Sequence, residues 1–269
     1  MQPLCVLTIA GSDSGGGAGI QADLRTFAAL GVHGITVITA TTAPNTLGVA
    51  DVHEVPRAHL RAQLESVTSD FSVAAVKTGM LASPDLIAEV TAWAAQGALP
   101  HLVIDPVLVS TSNHTLASQG SVAAYRTLLP HATLVTPNLR EAAALLGLEA
   151  TEIRSVSEMS KIGDALRTMG ANAVLVKGGH FSSDAVAPDI LVDATGTHVF
   201  DGPRIDTTND HGTGCSLSSA IAAFLAQGST LPDACRNAKD FVASALRGAA
   251  SWHLGQGRGP IDHLGWSHE

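Results

Sequence analysis

The feature that most constrains this chain is a repeating alternation of short, nearly all-apolar, β-branched runs with longer segments of helical periodicity. Runs at residues 4–9, 35–39, 74–78, 102–104, 134–136 and 173–177 have the composition of strands covered on both faces. Helical patterns fall between and after them, at 20–30, 56–67, 84–95, 121–129, 157–169, 214–226 and 232–250. Strand, crossover helix and parallel strand in that order predict an α/β fold with a mostly parallel central sheet and helices on both faces. Near 189–200 the pattern changes to Ile-Leu-Val-Asp, then Thr-Gly-Thr, then His-Val-Phe, which predicts an antiparallel hairpin turning at 194–197. No fixed-period repeat and no Pro/Ser linker divides the chain, so one domain over 1–269 is expected.

With 269 residues, 45 % of them hydrophobic, there is ample material for a core, and disordered or collagen-like classes are excluded. A formal charge of −9, with no concentrated basic face, argues against nucleic acid or an anionic membrane as partner and points to small molecules. Cys5, Cys215 and Cys235 make an odd set in a long chain, which suits reduced thiols and a cytoplasmic location better than a disulfide scaffold. The apolar stretch at 4–9 is too short for a signal core, and 211–232 reads as a buried helix with its approach loop rather than a membrane span.

In an open α/β sheet ligands sit beyond the carboxyl ends of the strands, so the loops that follow strands carry the argument. The first strand enters Ala10-Gly11-Ser12-Asp13-Ser14-Gly15-Gly16-Gly17-Ala18-Gly19 and then a helix containing Asp23. Its glycines allow close backbone approach to a ligand, and the helix start offers free N–H groups. A flexible turn, with Asp23 simply favoured by the helix dipole, is the structural alternative. Neither G-x-G-x-x-G nor G-x-x-x-x-G-K-S/T occurs.

A second glycine-rich turn, Asn209-Asp210-His211-Gly212-Thr213-Gly214-Cys215-Ser216, opens a strongly apolar helix. Gly212, Thr213 and Gly214 can present consecutive N–H groups as an anion hole for a phosphoryl group in transfer. Cys215, in the first helical turn, is expected to have a lowered pKa and to take a proton from a hydroxyl, unless it is a small buried packing residue. Asn138 and Glu141, after the strand at 134–136, have capping-box spacing, and could equally lie beside a hydrated Mg²⁺ together with Asp105 at a neighbouring strand end. Lys177, before Gly178-Gly179-His180, could meet a polyphosphate or stand solvated at the rim. The histidines form no zinc-type spacing, and no Gly-x-Ser-x-Gly elbow occurs.

Taken together, 10–23, Lys77-Thr-Gly-Met80-Leu-Ala, Asp105-Pro-Val107, Thr136-Pro-Asn138-x-x-Glu141-Ala, Lys177-Gly-Gly-His180 and His211-Gly-Thr-Gly-Cys215 resemble, in order along nearly the whole chain, the hydroxymethylpyrimidine and phosphomethylpyrimidine kinases of thiamine synthesis. The resemblance implies a ribokinase-like three-layer sandwich, usually a homodimer, that uses ATP and Mg²⁺. It implies Asp23 near the substrate's polar edge, Met80 and Val107 against the ring and Ala18 in the pocket wall. Gly212 to Gly214 would be the anion hole and Cys215 the base. Asp105 and Glu141 would lie around magnesium, with Asn138, Lys177 and Lys239 toward the nucleotide. Two departures stand out. Pro44 occupies the place of a glutamine whose amide pairs with the pyrimidine, and proline offers no donor there. Thr111-Ser112-Asn113 replaces the family's Lys-Ser-Gly. Pro44 keeps a pyridoxal or pyridoxine kinase open as the alternative, with a non-catalytic ligand-binding homologue behind it.

Overall fold

Among the described residues the chain builds one nine-stranded sheet in the order β3-β2-β1-β4-β5-β6-β7-β8-β9. A computed structural model describes residues 2–108, 120–148, 155–179 and 186–267. The strands are β1 (Cys5–Asp13), β2 (His33–Asn45), β3 (Gly48–Glu54), β4 (Val73–Thr78), β5 (Val103–Ile104), β6 (Leu134–Val135), β7 (Val174–Lys177), β8 (Asp189–Asp193) and β9 (Gly196–Phe200). The helices are α1 (Gly19–Ala29), α2 (Arg57–Asp70), α3 (Pro84–Ala95), α4 (Ser121–Leu128), α5 (Leu139–Leu146), α6 (Val156–Thr168), α7 (Thr213–Ala226) and α8 (Leu231–Ala249). From β2 to β7 neighbouring strands pair in parallel, while β3 and β8 run antiparallel, as does the β8–β9 hairpin. This is the mixed, mostly parallel sheet of the ribokinase-like fold.

The period-two alternation of the strands divides the core into two layers. Leu7 and Ile9 of β1, Val76 and Ile104 face α2 to α6, among Leu60, Leu64, Leu86, Leu139 and Leu166. Val6, Ala75, Val103, Leu134 and Leu175 face the other way, against Phe27 of α1, the Leu217 to Ala223 stretch of α7 and Ala234 and Ala238 of α8. Each fully buried leucine contributes about 1.5–3 kcal/mol of transfer free energy, so both layers are needed to hold the sheet. Among the described residues no helix is long and apolar enough to cross a membrane.

Two elements differ from the sequence expectation. β2 continues well beyond 39 and turns back as β3, which the sequence reading left out; from Ala50 onward every β3 residue is exposed, so no hydrophobic alternation marks it. The eight-residue α5 follows the capping box at Asn138: its side chain accepts from Glu141 N–H while Glu141 Oε2 accepts from Asn138 N–H. His180 and the Thr111-Ser112-Asn113 departure lie outside the described residues.

Candidate active site

Strand order reverses around β1: the chain goes out to β2 and β3, then returns to β4 on the other side of β1. Such a switch point is where an open α/β sheet binds ligands. The carboxyl ends of β1, β4, β5 and β7, and the first turn of α7, bring most of the singled-out residues to this edge.

The glycine-rich segment after β1 is held by Asp13, a residue within it whose place in the sequence signals no role. Asp13 accepts hydrogen bonds from the N–H groups of Gly15 (2.8 Å), Gly17 (3.1 Å) and Ala18 (2.6 Å), and lies 3.1 Å from His211 Nε2. Burial works to raise its pKa, but His211 and these amides hold it below the usual carboxylate value. The amides expected to face a ligand are therefore bound to the protein's own carboxylate. The glycines serve packing as well: a Cβ on Gly212 (φ +85°) would overlap the carbonyl oxygen of Gly17, and one on Gly19 (φ +57°) would overlap that of Gly11. The two glycine-rich turns are thus packed backbone against backbone, with Ala18 in their seam.

Beneath the start of α7 lie two lysine–carboxylate pairs. Lys77, at the end of β4, and Asp23 of α1 are both fully buried, with Nζ 2.8 Å from each carboxylate oxygen. Asp23 Oδ1 also accepts from Ser219 Oγ (2.6 Å) and Oδ2 from Thr8 Oγ1 (2.5 Å). Burial opposes the Lys77 charge, yet Asp23, Cys215 and Asp105 hold its pKa above the usual lysine value. The second pair joins Lys177 of β7 to Asp105 after β5 at 2.8 Å; Thr136 Oγ1 and Ser218 Oγ donate to the same carboxylate at 3.3 Å. Ser218 and Ser219 stand one turn beyond Cys215, so the thiol's own helix face is directed at both pairs.

The first turn of α7 differs in detail from the expected anion hole. Thr213 spends its N–H (3.3 Å) and its hydroxyl (2.6 Å) on the Asp210 carbonyl, while the N–H groups of Gly214 and Cys215 have no partner among the described residues. Those orphan donors are the ones a helix start offers to an anion. Lys177 is beside them: a methyl group at Gly214 would lie 3.3 Å from its Nζ and 3.8 Å from Asp105 Oδ2.

The Cys215 thiol is not lowered. Burial pushes its pKa up to about 11, with Asp23 and Asp105 adding to the rise; Lys77 and a backbone hydrogen bond from Gly19 pull the other way without prevailing. Loss of water and two nearby carboxylates outweigh the helix N-terminus, a balance that spacing along the chain could not reveal.

Glu141 is buried near Asp105 and Lys177. Burial raises its pKa to about 7; Lys177 opposes the rise and Asp105 adds to it. Met80 reaches over Gly11, its Cε 2.6 Å from where a Cβ there would be, and its carbonyl accepts from Thr39 Oγ1. Half-buried Pro44 lies along the glycine loop, its carbonyl oxygen 3.7 Å from the Cβ position of Gly15. Val107 is half-buried two residues past Asp105, whose carbonyl accepts its N–H. Lys239 is engaged elsewhere, on Asp189 Oδ2 (2.6 Å) and the Ala187 carbonyl (2.7 Å); Asp189 Oδ1 in turn accepts from Gly178 N–H. Asp23, expected at the substrate's edge, has both oxygens engaged inside the protein, by Lys77, Ser219 and Thr8.

Residues 13–262 match the family model described as phosphomethylpyrimidine kinase. The chain belongs to the phosphomethylpyrimidine kinase family. Within it, the hydroxymethylpyrimidine/phosphomethylpyrimidine kinase of Streptomyces coelicolor is 46 % identical over 266 residues, covering 98 % of this chain and 96 % of the relative. The phosphomethylpyrimidine kinase of Clostridium difficile is a structural match with TM-score 0.80 at 38 % identity, over 90 % of this chain and 99 % of that one. An ADP complex of Bacillus subtilis pyridoxal kinase matches with TM-score 0.88 at 36 % identity, over 97 % and 98 %. Lys77, Asp13 and the paired serines of α7 lie at this same edge of the sheet, joined by contacts that spacing along the chain does not reveal. No local motif signals these contacts, whose partners lie as far apart as Asp13 and His211.

Proposed function

We propose that this protein transfers the γ-phosphoryl group of ATP to the hydroxymethyl group of 4-amino-5-hydroxymethyl-2-methylpyrimidine, and then a second phosphoryl group to the resulting monophosphate. The observation that carries this reading is the near-full-length identity with the Streptomyces coelicolor kinase. The geometry supplies the chemistry. The substrate hydroxyl oxygen forms a bond to the γ-phosphorus as the bond to ADP breaks, and the charge spreading over the transferred group meets the Gly214 and Cys215 N–H groups with Lys177 alongside. Positioning and charge neutralisation do most of the work in phosphoryl transfer. Cys215 stands where the hydroxyl proton leaves; with its pKa at about 11, only about 10⁻⁴ of it is thiolate at pH 7, and that fraction takes the proton and becomes the thiol as the oxygen–phosphorus bond forms.

The residues present fit a magnesium ion. Asp105, just past β5, and Glu141, in the first turn of α5, are hard oxygen donors close enough that burial and the Asp105 charge together raise the Glu141 pKa. Glu141 already accepts from Asn138 N–H, so it would hold the ion through water, while Asp105 faces the phosphates. Bound there, magnesium would neutralise phosphate charge. Ala18, Met80, Val107 and Pro44 line the substrate side; Asn138 lies toward the nucleotide, and Lys239, held by Asp189, supports the Gly178 end of that site. The protein works as a cytoplasmic homodimer on this reading, which the family resemblance supports and sedimentation would check.

A second reading, phosphorylation of pyridoxal, is favoured by the likeness to Bacillus subtilis pyridoxal kinase and by Pro44, which presents no side-chain hydrogen bond to a pyrimidine edge. Coupled ADP-release assays on the pyrimidine, its phosphate and pyridoxal decide between them through kcat/KM. Turnover of both pyrimidines is the expected result; turnover of pyridoxal alone overturns the first reading.

A further inference from the structure

The tip of the β2–β3 hairpin and the turn ahead of α7 are bound to the same short piece of chain. Thr46, two residues beyond Pro44, accepts at Oγ1 from the N–H groups of Gln256 and Gly257 (3.0 Å each), and at its carbonyl from Arg258 N–H (3.1 Å). The approach is too close for side chains: a Cβ on Gly257 would overlap the Thr46 carbonyl, and one on Gly255 (φ +86°) would lie 2.6 Å from Thr46 Cγ2. The same strap then reaches the other turn. The Arg258 guanidinium closes on both Asp210 oxygens, with Nε 2.7 Å from Oδ1, and the Gly259 carbonyl accepts from His211 N–H at 3.0 Å. A Cβ on Gly259 would overlap Asn209 Oδ1, and Asn209 Nδ2 donates to the carbonyls of Ala249 (2.8 Å) and Trp252 (2.9 Å). His211 leads on to Asp13, which gathers the glycine loop.

We propose that Thr46 and Arg258 are positioning residues of the active site, through which residues 256–259 hold the substrate wall of the β2–β3 hairpin at a set distance from the phosphoryl-binding turn of α7. The hairpin needs such a tie. Among the described residues β2 pairs with β1 only as far as Thr42, so residues 43–49 extend from the sheet as a two-stranded ribbon, and such a ribbon is at best marginally stable in water by itself. Asn45 Oδ1, which accepts from Leu47 and Gly48 N–H, shapes the turn without attaching it to the body. The tie acts on rate because a misplacement of about 1 Å can cost about 10²-fold in phosphoryl transfer. Its contribution to folding is small, since the Arg258 and Asp210 side chains are 54 % and 27 % exposed.

The proposal rests on the kinase reading, so its test carries a readout independent of turnover. T46V and R258Q each change a side chain at the surface; G257A removes the close approach itself. Hydrogen exchange followed by mass spectrometry, thermal melting and steady-state kinetics are measured on all three and on the unaltered protein. In T46V and R258Q alike, exchange is expected to rise in both 44–48 and 209–215. The melting temperature should hold, KM for the hydroxymethyl substrate should rise with KM for ATP unchanged, and kcat/KM should fall about tenfold. G257A should go further in the same direction; if it does not fold, T46V and R258Q decide. Exchange confined to the mutated segment, or an unchanged kcat/KM for the hydroxymethyl substrate in both side-chain variants, overturns the proposal. Coupled exchange in a protein without turnover on any of the three substrates would leave the strap standing and refute the kinase reading instead.

Discussion

Replacing Lys77 with methionine leaves Asp23 as a buried carboxylate whose remaining partners are the hydroxyls of Thr8 and Ser219. Lys77 and Asp23 are both wholly shielded from solvent, so water cannot take over the lost contacts. Breaking a buried pair by removing one partner costs about 3–5 kcal/mol, most of it the penalty for the charge left behind. For a chain of this size that lowers the melting temperature on the order of 10 °C. Urea unfolding followed by circular dichroism, on K77M, D23N and the double variant, measures the cost and the coupling. The double variant is expected to lose less than the sum of the single losses, because it strands no charge. A K77M protein within about 1 kcal/mol of the unaltered one would refute the reasoning, since an orphaned carboxylate cannot be that inexpensive in a closed site.

Other outcomes follow from the same structure. C215A should lower kcat by about 10²–10⁴, the usual range for loss of a proton-accepting group. If the thiolate is the acceptor, kcat of the unaltered enzyme should climb with pH toward the Cys215 pKa of about 11, and a flat profile between neutral and mildly alkaline pH would return the thiol to a packing role. Glu141, whose pKa burial holds above the usual carboxylate value, should make magnesium activation strengthen as pH rises and the carboxyl ionises, and E141Q should flatten the dependence; titrations of activity against Mg²⁺ at several pH values check this. Glu89, whose pKa is lowered from 4.5 to about 2 chiefly by its hydrogen bond from Arg61, aided by Arg57 against the effect of burial, contributes stability that is present above 4.5 and lost as pH falls toward 2. Acid unfolding of E89Q should lack that component.

Much of the sheet was legible because strands covered on both faces must be apolar throughout, as at 4–9 and 173–177, and because long amphipathic helices announce themselves. β3 was not, since its order comes from pairing with β2 and from the strap at Thr46 rather than from burial. The candidate site was legible as glycine-rich strand ends; its internal wiring was not. Nothing local says that Asp13 folds the glycine loop onto itself, or that Asp23 meets Lys77 fifty-four residues away. The Cys215 pKa failed for a related reason: a helix N-terminus can be read from Gly212-Thr213-Gly214, whereas burial and the carboxylates brought from α1 and β5 appear only in three dimensions.

The central claim is that the migrating phosphoryl group lies at the first turn of α7. A crystal structure with ADP, magnesium, a metal-fluoride mimic of the transferred group and the hydroxymethylpyrimidine locates it directly. The fluoride ligands are expected within hydrogen-bond reach of the Gly214 and Cys215 N–H groups, with Lys177 beside them and the hydroxymethyl oxygen in line. A mimic bound away from that turn, with those amides facing solvent, would contradict it.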